Sequence, residues 1–299
     1  MKAILMMVLS TLLFALMGVA VKLASSEHGY STGEIVAYRG LIGAAMMFAL
    51  SRWQGLSLRT RVPGMHLGRS VSGVCALMLW FYAISVLPLA TAVTLNYMSS
   101  VWMAAFLIGG GVLLGGARVD GRLVATVLAG FAGVVMILRP SMGADQLWGG
   151  LTGLLSGMLS AMAYLQVTAL GRAGEPEPRV VFYFSLCGAL AGAVVAQLGD
   201  GWHGHTPRGV ALLLAVGLCA TAAQLLMTRA YAIGSTLINA TLQYLGIVYS
   251  FGFGVWLFGD AVSGLALAGM GLIVVSGIAA SRLRARQAPA VGDSRSFEA

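Results

Sequence analysis

The feature of this sequence that most restricts its fold is the length of its uncharged apolar segments. No Asp, Glu, Lys or Arg lies between Ala90 and Ala117, and a helix of about 20 apolar residues crosses the hydrocarbon core of a bilayer. Charged residues make up 9% of the 299 residues and hydrophobic residues 59%, whereas soluble domains carry about 25% charged residues. The chain is therefore predicted to be an all-α integral membrane protein.

Ten apolar segments are predicted to cross the membrane as helices. The seven prolines all fall in or beside the connections, where residues that break helices are expected. The first segment also has features of a secretory signal peptide, but a counterpart later in the chain favours a retained helix. The predicted spans are 3–24, 34–51, 69–87, 91–114, 120–138, 148–171, 178–198, 208–230, 236–258 and 262–281.

The distribution of Lys and Arg predicts the orientation of these spans. With the N-terminus in the cytoplasm, most basic residues fall on the cytoplasmic side, as the positive-inside rule requires. Both termini are then cytoplasmic in a bacterial inner membrane, and residues 288–299, which lack apolar periodicity, are predicted to be a disordered tail. Since basic residues flank apolar spans, the net charge of +8 does not indicate a nucleic-acid partner.

A block of sequence occurs twice. FYAISVLPLATAVTLNYMSSVW begins at Phe81 and AYAIGSTLINATLQYLGIVYSF begins at Ala230. The matches predict two repeats, residues 1–142 with helices 1–5 and residues 143–287 with helices 6–10. Because five is odd, the second repeat enters the membrane from the opposite side, so the repeats are inverted, and the substrate site is expected in a central cavity between them.

This layout resembles the drug/metabolite transporter superfamily of the EamA type. The resemblance rests on VAVKLASS at the end of span 1, EIVAYRGLIGAAM in span 2 and the block from Ala83 to Leu138. Bacterial amino-acid exporters of the YddG kind look most similar. The resemblance implies an exporter working by alternating access. Two departures are Gly116 and Asp260, which stand where members often carry the glutamate of Leu-Gly-Glu.

Polar and aromatic side chains at helical spacing predict the lining of the cavity. A buried amide that faced lipid would be costly, so these residues must face a cavity or hydrogen-bond between helices as packing contacts, and the sequence leaves both roles open for each residue. Stripes on six helices, matched between the halves, favour the cavity for the group. The candidate substrate-binding residues are Phe14, Met17, Met78, Tyr82, Asn96, Tyr97, Ser99, Ser100, Trp102, Ser160, Tyr164, Gln224, Thr228, Gln243, Tyr244 and Ser250.

The expected cavity is uncharged. No Asp or Glu lies in the middle of a predicted span, and the four histidines are assigned to loops, so no cofactor or metal site is predicted and transport is expected to run without an obligatory proton. Arg39 lies well within span 2, where a structural role and substrate contact are both open. The oligomeric state stays open.

Such a cavity suits small neutral or zwitterionic metabolites, above all amino acids with aromatic or apolar side chains. The alternatives are an exporter of drugs or other metabolites, a passive channel and a membrane-embedded enzyme.

Overall fold

A computed structural model describes residues 2–113, 121–138, 144–199, 201–233 and 242–287. These ranges are helical apart from short connections, which confirms the all-α prediction. The helices are α1 (Lys2–His28), α2 (Thr32–Trp53), α3 (Pro63–Val86), α4 (Leu89–Tyr97), α5 (Ser99–Leu113), α6 (Gly121–Leu138), α7 (Ala144–Arg172), α8 (Glu177–Leu198), α9 (Pro207–Ile233), α10 (Leu245–Phe258) and α11 (Gly264–Gln287).

Local sequence explains where several helices begin and end. Ser31 precedes α2 and accepts a hydrogen bond from the backbone N–H of Glu34, whose carboxylate accepts one from the Ser31 N–H, so the pair forms a capping box. Pro63 opens α3, where a missing N–H costs nothing. Gly259 ends α10 with φ 62°, a left-handed conformation that glycine adopts without steric cost.

Within the described ranges, six helices are long and apolar enough to cross a membrane: α1, α2, α3, α7, α8 and α9. Shorter apolar helices cover Gly121–Met136, Leu245–Phe258 and Gly264–Ala280. These helices correspond to predicted spans, so the chain is a multi-pass membrane protein. The first part of predicted span 9, up to residue 241, lies outside the described residues.

Predicted span 4, residues 91–114, is not one helix: α4 and α5 meet at Met98. The N–H of Met98 bonds to the Leu95 carbonyl at 3.2 Å, and the Val101 N–H bonds to the Met98 carbonyl at 2.9 Å. These tight turns interrupt the regular α-helical pattern. Every residue of α4 is buried. Helix α5 packs against α6 and α11. Hydropathy does not report this break.

The most extensive helix contacts are α2 with α8, α1 with α9, α3 with α7, and α6 with α11. Helices α1 and α9 are antiparallel, because Ser10 bonds to the carbonyl of Ala223 while Tyr30, beyond the end of α1, lies against Gly209 at the start of α9. Glycines permit close approach in the α2–α8 pair, where the Cα of Gly40 lies against the backbone of Ala189.

The helices define two ends of the molecule. At the first, called the α7–α8 end, Arg179 donates to the Ser57 carbonyl in the α2–α3 connection, at 2.6 Å from Nη2. At the second, called the α1–α2 end, the N–H of His203 in the α8–α9 connection donates to Glu34 Oε1 at 2.7 Å. A residue's place along its helix therefore tells which end of the molecule it is near.

Candidate functional site

A cavity of about 350 Å³ lies among α1, α2, α3, α4, α7, α8 and α9. It reaches from Phe14 and Asn96 in the interior to the turn between α7 and α8. Its lining consists of Phe14, Arg39, Arg69, Gly73, Ala76, Leu77, Trp80, Asn96, Ser160, Ala163, Tyr164, Val167, Gly171, Glu175, Glu177, Val180, Val181, Phe184, Gln224, Met227 and Thr228.

Part of the predicted site is brought together in this cavity. Six predicted residues are in the lining: Phe14, Asn96, Ser160, Tyr164, Gln224 and Thr228. Gln243, which precedes α10, reaches the same region because its side chain is hydrogen-bonded to that of Tyr164.

Asn96 has both of the roles that the sequence left open. Its amide nitrogen donates to Ser156 Oγ at 2.9 Å and to Ser160 Oγ at 3.3 Å, so it holds α4 against α7. The backbone of α4 can approach because Gly157 of α7 lies against the carbonyls of Leu95 and Asn96. Asn96 is also part of the lining. Packing contact and cavity contact are therefore not exclusive at this position.

On α3, the two predicted residues do not line this cavity. Met78 is partly buried against the apolar core and Tyr82 is 39% exposed, and the lining instead comes from Arg69, Gly73 and Trp80. At about 100° per residue, position 78 lies about 180° around the helix from position 69. An amphipathic tyrosine is tolerated on an outward face near a membrane surface, so its polarity did not indicate the cavity.

Other predicted residues pack outside this cavity. The rings of Tyr97 and Tyr244 meet edge to face at 6.2 Å, Trp102 packs against Phe131 at 4.9 Å, and Met17 is fully buried in the apolar core. Ser99 and Ser250 are buried, and the side chain of Ser100 lies outside the described residues. Tyr97 and Tyr244 connect α4 to α10, since the Tyr97 hydroxyl lies against Gly246.

The prediction of an uncharged cavity is wrong, because Arg39 and Arg69 are both in its lining. Arg39 is 7% exposed and Arg69 is 6% exposed. Sequence reasoning assigned Arg69 to a cytoplasmic helix end. The structure starts α3 at Pro63, so Arg69 lies more than one turn inside the helix. The signal that could have placed it there is Pro63, which favours the first turn of a helix.

A carboxylate cluster lies at the α7–α8 end of the cavity. Glu175 contacts His66 Nε2 at 3.0 Å, Arg179 Nη1 at 2.9 Å and Thr60 Oγ1 at 3.1 Å. Burial by itself raises the pKa of Glu175, but the hydrogen bonds from His66, Arg179 and Thr60 outweigh it and hold the pKa below its ordinary value of 4.5. Glu175 is therefore ionised at neutral pH. The assignment of all four histidines to loops is also wrong, since His66 lies within α3 and is 3% exposed.

The α1–α2 end carries an ion pair between distant parts of the sequence. Lys22 Nζ lies 2.9 and 3.0 Å from the two carboxylate oxygens of Asp260, and it also donates to the Leu87 carbonyl at 3.3 Å. Asp260 Oδ2 accepts from the N–H of Leu89, the first residue of α4, at 2.9 Å. The pair thus connects α1, the α3–α4 turn and the α10–α11 connection, at the end away from Glu175. Among the described residues, no group of three or more His, Cys, Asp or Glu side chains is arranged to hold a metal ion.

Comparison with known proteins places this architecture in a transporter family. The sequence profile of the EamA-like transporter family matches residues 1–139. The chain is 34% identical over 282 residues to the pseudopaline exporter CntI of Pseudomonas aeruginosa, covering 94% of this chain and 96% of that protein. It is 29% identical over 230 residues to a riboflavin transporter of Rhizobium johnstonii, covering 76% and 73% of the two chains.

A solved crystal structure shares the fold. It superposes with a TM-score of 0.64 at 22% identity and covers 96% of this chain and 99% of the other. With the helical membrane architecture and the sequence identity to CntI, the protein belongs to the EamA-like transporter family.

Proposed function

We propose that this protein exports small amino-acid-like metabolites from the bacterial cytoplasm by alternating access. The observation that carries the proposal is the cavity itself, which is about 350 Å³ in volume and combines amides, hydroxyls, arginines and aromatic rings inside the membrane. A pocket of this size and mixed polarity is typical of small-molecule sites. The transporters among its relatives support the same class of function.

The helix contacts support two inverted halves, residues 1–142 and 143–287. Under such a symmetry, helix 1 of the first half corresponds to helix 1 of the second, which is α7, and likewise α3 corresponds to α9. The contact of α1 with α9 then corresponds to that of α7 with α3, and the α2–α8 and α6–α11 pairs correspond to themselves. All four pairs join one half to the other, as expected where a site lies at the repeat interface.

The arginine distribution supports an orientation with the α7–α8 end in the cytoplasm, because Arg52, Arg59, Arg61, Arg172 and Arg179 lie near that end. In that orientation the cavity extends toward the cytoplasm. The ion pair of Lys22 with Asp260 then lies on the periplasmic side of the site. This arrangement is that of an inward-facing exporter ready to receive substrate from the cell.

Transport by the purified protein in liposomes tests the proposal. Vesicles loaded with unlabelled compound should accumulate the same labelled compound by exchange, and the panel should include phenylalanine, glutamine, glutamate and riboflavin. Empty liposomes and liposomes with Ser160→Trp protein, whose cavity is filled, serve as controls. We expect exchange of at least one amino acid by wild-type protein and none by the filled variant. Equal flux through wild-type and Ser160→Trp protein would show that the substrate does not pass through this cavity.

The same assay separates the other functions. Riboflavin exchange without amino-acid exchange would favour the alternative of an exporter of other metabolites, which the named riboflavin transporter among the relatives supports. A passive channel gives downhill flux but no stimulation by compound on the opposite side. Chemical conversion of a panel compound, detected by mass spectrometry, would indicate an enzyme.

A further inference from the structure

We propose that Arg39 and Arg69, together with Phe184, form a carboxylate-binding site within the cavity, so that the preferred cargo carries a net negative charge. This inference rests on the proposed function, because it takes the cavity to be the substrate pathway. It replaces the expectation of a neutral or zwitterionic cargo, which was based on an uncharged lining.

The two arginines are buried without a counter-charge. Among the described residues, no carboxylate lies within ion-pair distance of either guanidinium. A charge removed from water without a partner is costly, and the cost of two such charges in one cavity is increased by their mutual repulsion. An anionic ligand would relieve both costs. Ionisable residues within membrane spans generally mark substrate or ion pathways.

Most of the hydrogen-bonding capacity of the two guanidinium groups is unused. Arg39 donates through Nη2 to Gln224 Oε1 over a long 3.5 Å, and its Nε has no hydrogen-bond partner. For Arg69, neither Nε nor Nη1 has a partner. A guanidinium has five N–H donors in a planar fork that matches the two oxygens of a carboxylate. Both side chains line the cavity, so an anion there would meet two guanidinium groups that have buried N–H groups without a hydrogen-bond acceptor.

Neighbouring residues hold both side chains in position. The ring of Phe184 lies under both cations, with ring-centroid distances of 5.3 Å for Arg39 Cζ and 4.3 Å for Arg69 Cζ. Since both distances are measured to one ring, the guanidinium groups are no further apart than their sum. Gly73 leaves room for Arg69, whose Nη1 lies where a Cβ at position 73 would be. Such fixed cations need little reordering when an anion binds.

The rest of the lining suggests how the remainder of the ligand is bound. Asn96, Ser160 and Thr228 offer hydrogen bonds, and Trp80 offers an apolar surface with an indole N–H that has no partner. Two carboxylates, Glu175 and Glu177, line the α7–α8 end of the cavity, and Glu175 is already bonded to His66 and Arg179, which limits its repulsion of an incoming anion. The ligand chemistry that fits is an amino-acid derivative with more carboxylates than amines.

Matched acid and amide pairs test this charge preference. The pairs are glutamate with glutamine, aspartate with asparagine, and N-acetylphenylalanine with its amide, with inorganic phosphate as a separate probe. Two readouts are made on wild-type protein in nanodiscs: competition binding, and protection of individual arginines from phenylglyoxal as followed by mass spectrometry. Exposed Arg59 in the α2–α3 connection is the internal control for labelling. The variants are Arg39→Gln, Arg69→Gln, the corresponding Lys substitutions, and Arg59→Gln.

We expect at least one acid to bind about tenfold or more tightly than its amide, which is the scale of a single charge-assisted contact. That acid should slow labelling of Arg39 and Arg69 but not of Arg59. Arg39→Gln and Arg69→Gln should each bring the ratio of acid affinity to amide affinity closer to one. The corresponding Lys variants should keep part of the preference, and Arg59→Gln should leave it unchanged. Because protection is measured on the wild-type protein, a variant that does not fold leaves the test intact.

Three results would overturn the inference: no acid protects Arg39 or Arg69; phosphate protects them and no carboxylate does; or folded Gln variants keep the wild-type acid preference. A different result would contradict the proposed function and not the carboxylate site. If acids bind and protect the two arginines but no compound is exchanged across the liposome membrane, the carboxylate site is supported and the transport function is contradicted. Exchange of compounds without a preference for acids would support the transport function and contradict the carboxylate site.

Discussion

Neutralising Asp260 should destabilise the protein more than removing any surface charge. In Asp260→Asn, the side-chain oxygen can still accept from the Leu89 N–H, but Lys22 loses its only carboxylate among the described residues. The two side chains are 12% and 13% exposed, so water replaces the lost partner poorly. Breaking a buried ion pair by removing one member costs about 3–5 kcal/mol.

The expected cost is somewhat below that range. Lys22 keeps the Leu87 carbonyl at 3.3 Å and the ring of Phe258 at 4.6 Å, and each offsets part of the lost charge pairing. We expect a loss of about 2–3 kcal/mol, measured as a lower melting temperature of the detergent-solubilised protein. Glu27→Gln is the matched control, since its pair with Arg208 at 3.2 Å is 40% and 72% exposed. That variant should melt close to wild type.

The double variant Lys22→Gln/Asp260→Asn sharpens the test. Because it leaves no unpaired charge, it should be more stable than Asp260→Asn alone. The reasoning is wrong if the losses of Asp260→Asn alone and Lys22→Gln alone simply add in the double variant, or if Asp260→Asn and Glu27→Gln melt at the same temperature.

Three further variants have defined outcomes. Asn96→Ala should lose about 1–2 kcal/mol, the scale of one interhelical hydrogen bond in a membrane, and should lose transport out of proportion to stability; loss of both in proportion would make Asn96 a packing residue only. Gly40→Ala should lower the melting temperature, because its Cβ would meet the backbone of Ala189, whereas Gly188→Ala, whose Cβ would lie 3.7 Å from Val74, should be tolerated; equal melting would contradict the packing. Because the pKa of Glu175 is lowered, its stabilising contribution is complete above the ordinary pKa of 4.5 and is lost as pH falls through the lowered value; Glu175→Gln should flatten the acid limb of a stability–pH profile, and an unchanged profile would refute this.

Hydropathy and proline placement predicted the membrane class and most helices because both depend on local composition. The stripes on α7 and α9, including Ser160, Tyr164, Gln224 and Thr228, predicted lining residues for the same reason: a polar side chain at helical spacing must avoid lipid. The residues predicted on α3 lie outside this cavity, and Tyr82, which is amphipathic, is stable facing outward. Gly73 and Ala76, which do line the cavity, carry no polar signal.

Other features of the fold and the site depend on contacts between residues far apart in the sequence. Lys22 and Asp260 are joined across almost the whole chain, and no local pattern predicts their pairing. The break at Met98 lies within an apolar segment that has no Pro, so hydropathy and proline placement do not indicate it. The charge of the cavity was missed because Arg69 is close enough to the start of α3 to resemble a residue flanking a span. A shift of a few residues in a predicted helix start therefore changed the predicted chemistry of the substrate.

Covalent blocking of the cavity tests the central claim most directly. Thr228→Cys is placed in a protein in which Cys75, Cys187 and Cys219 are replaced by serine, reconstituted in liposomes and treated with a negatively charged methanethiosulfonate reagent. Thr228 lines the cavity, so modification should abolish exchange, and a transported compound should slow the modification. The same treatment of Arg59→Cys, in the exposed connection, should leave exchange unchanged. Full exchange after complete modification at position 228 would show that substrate does not pass through this cavity.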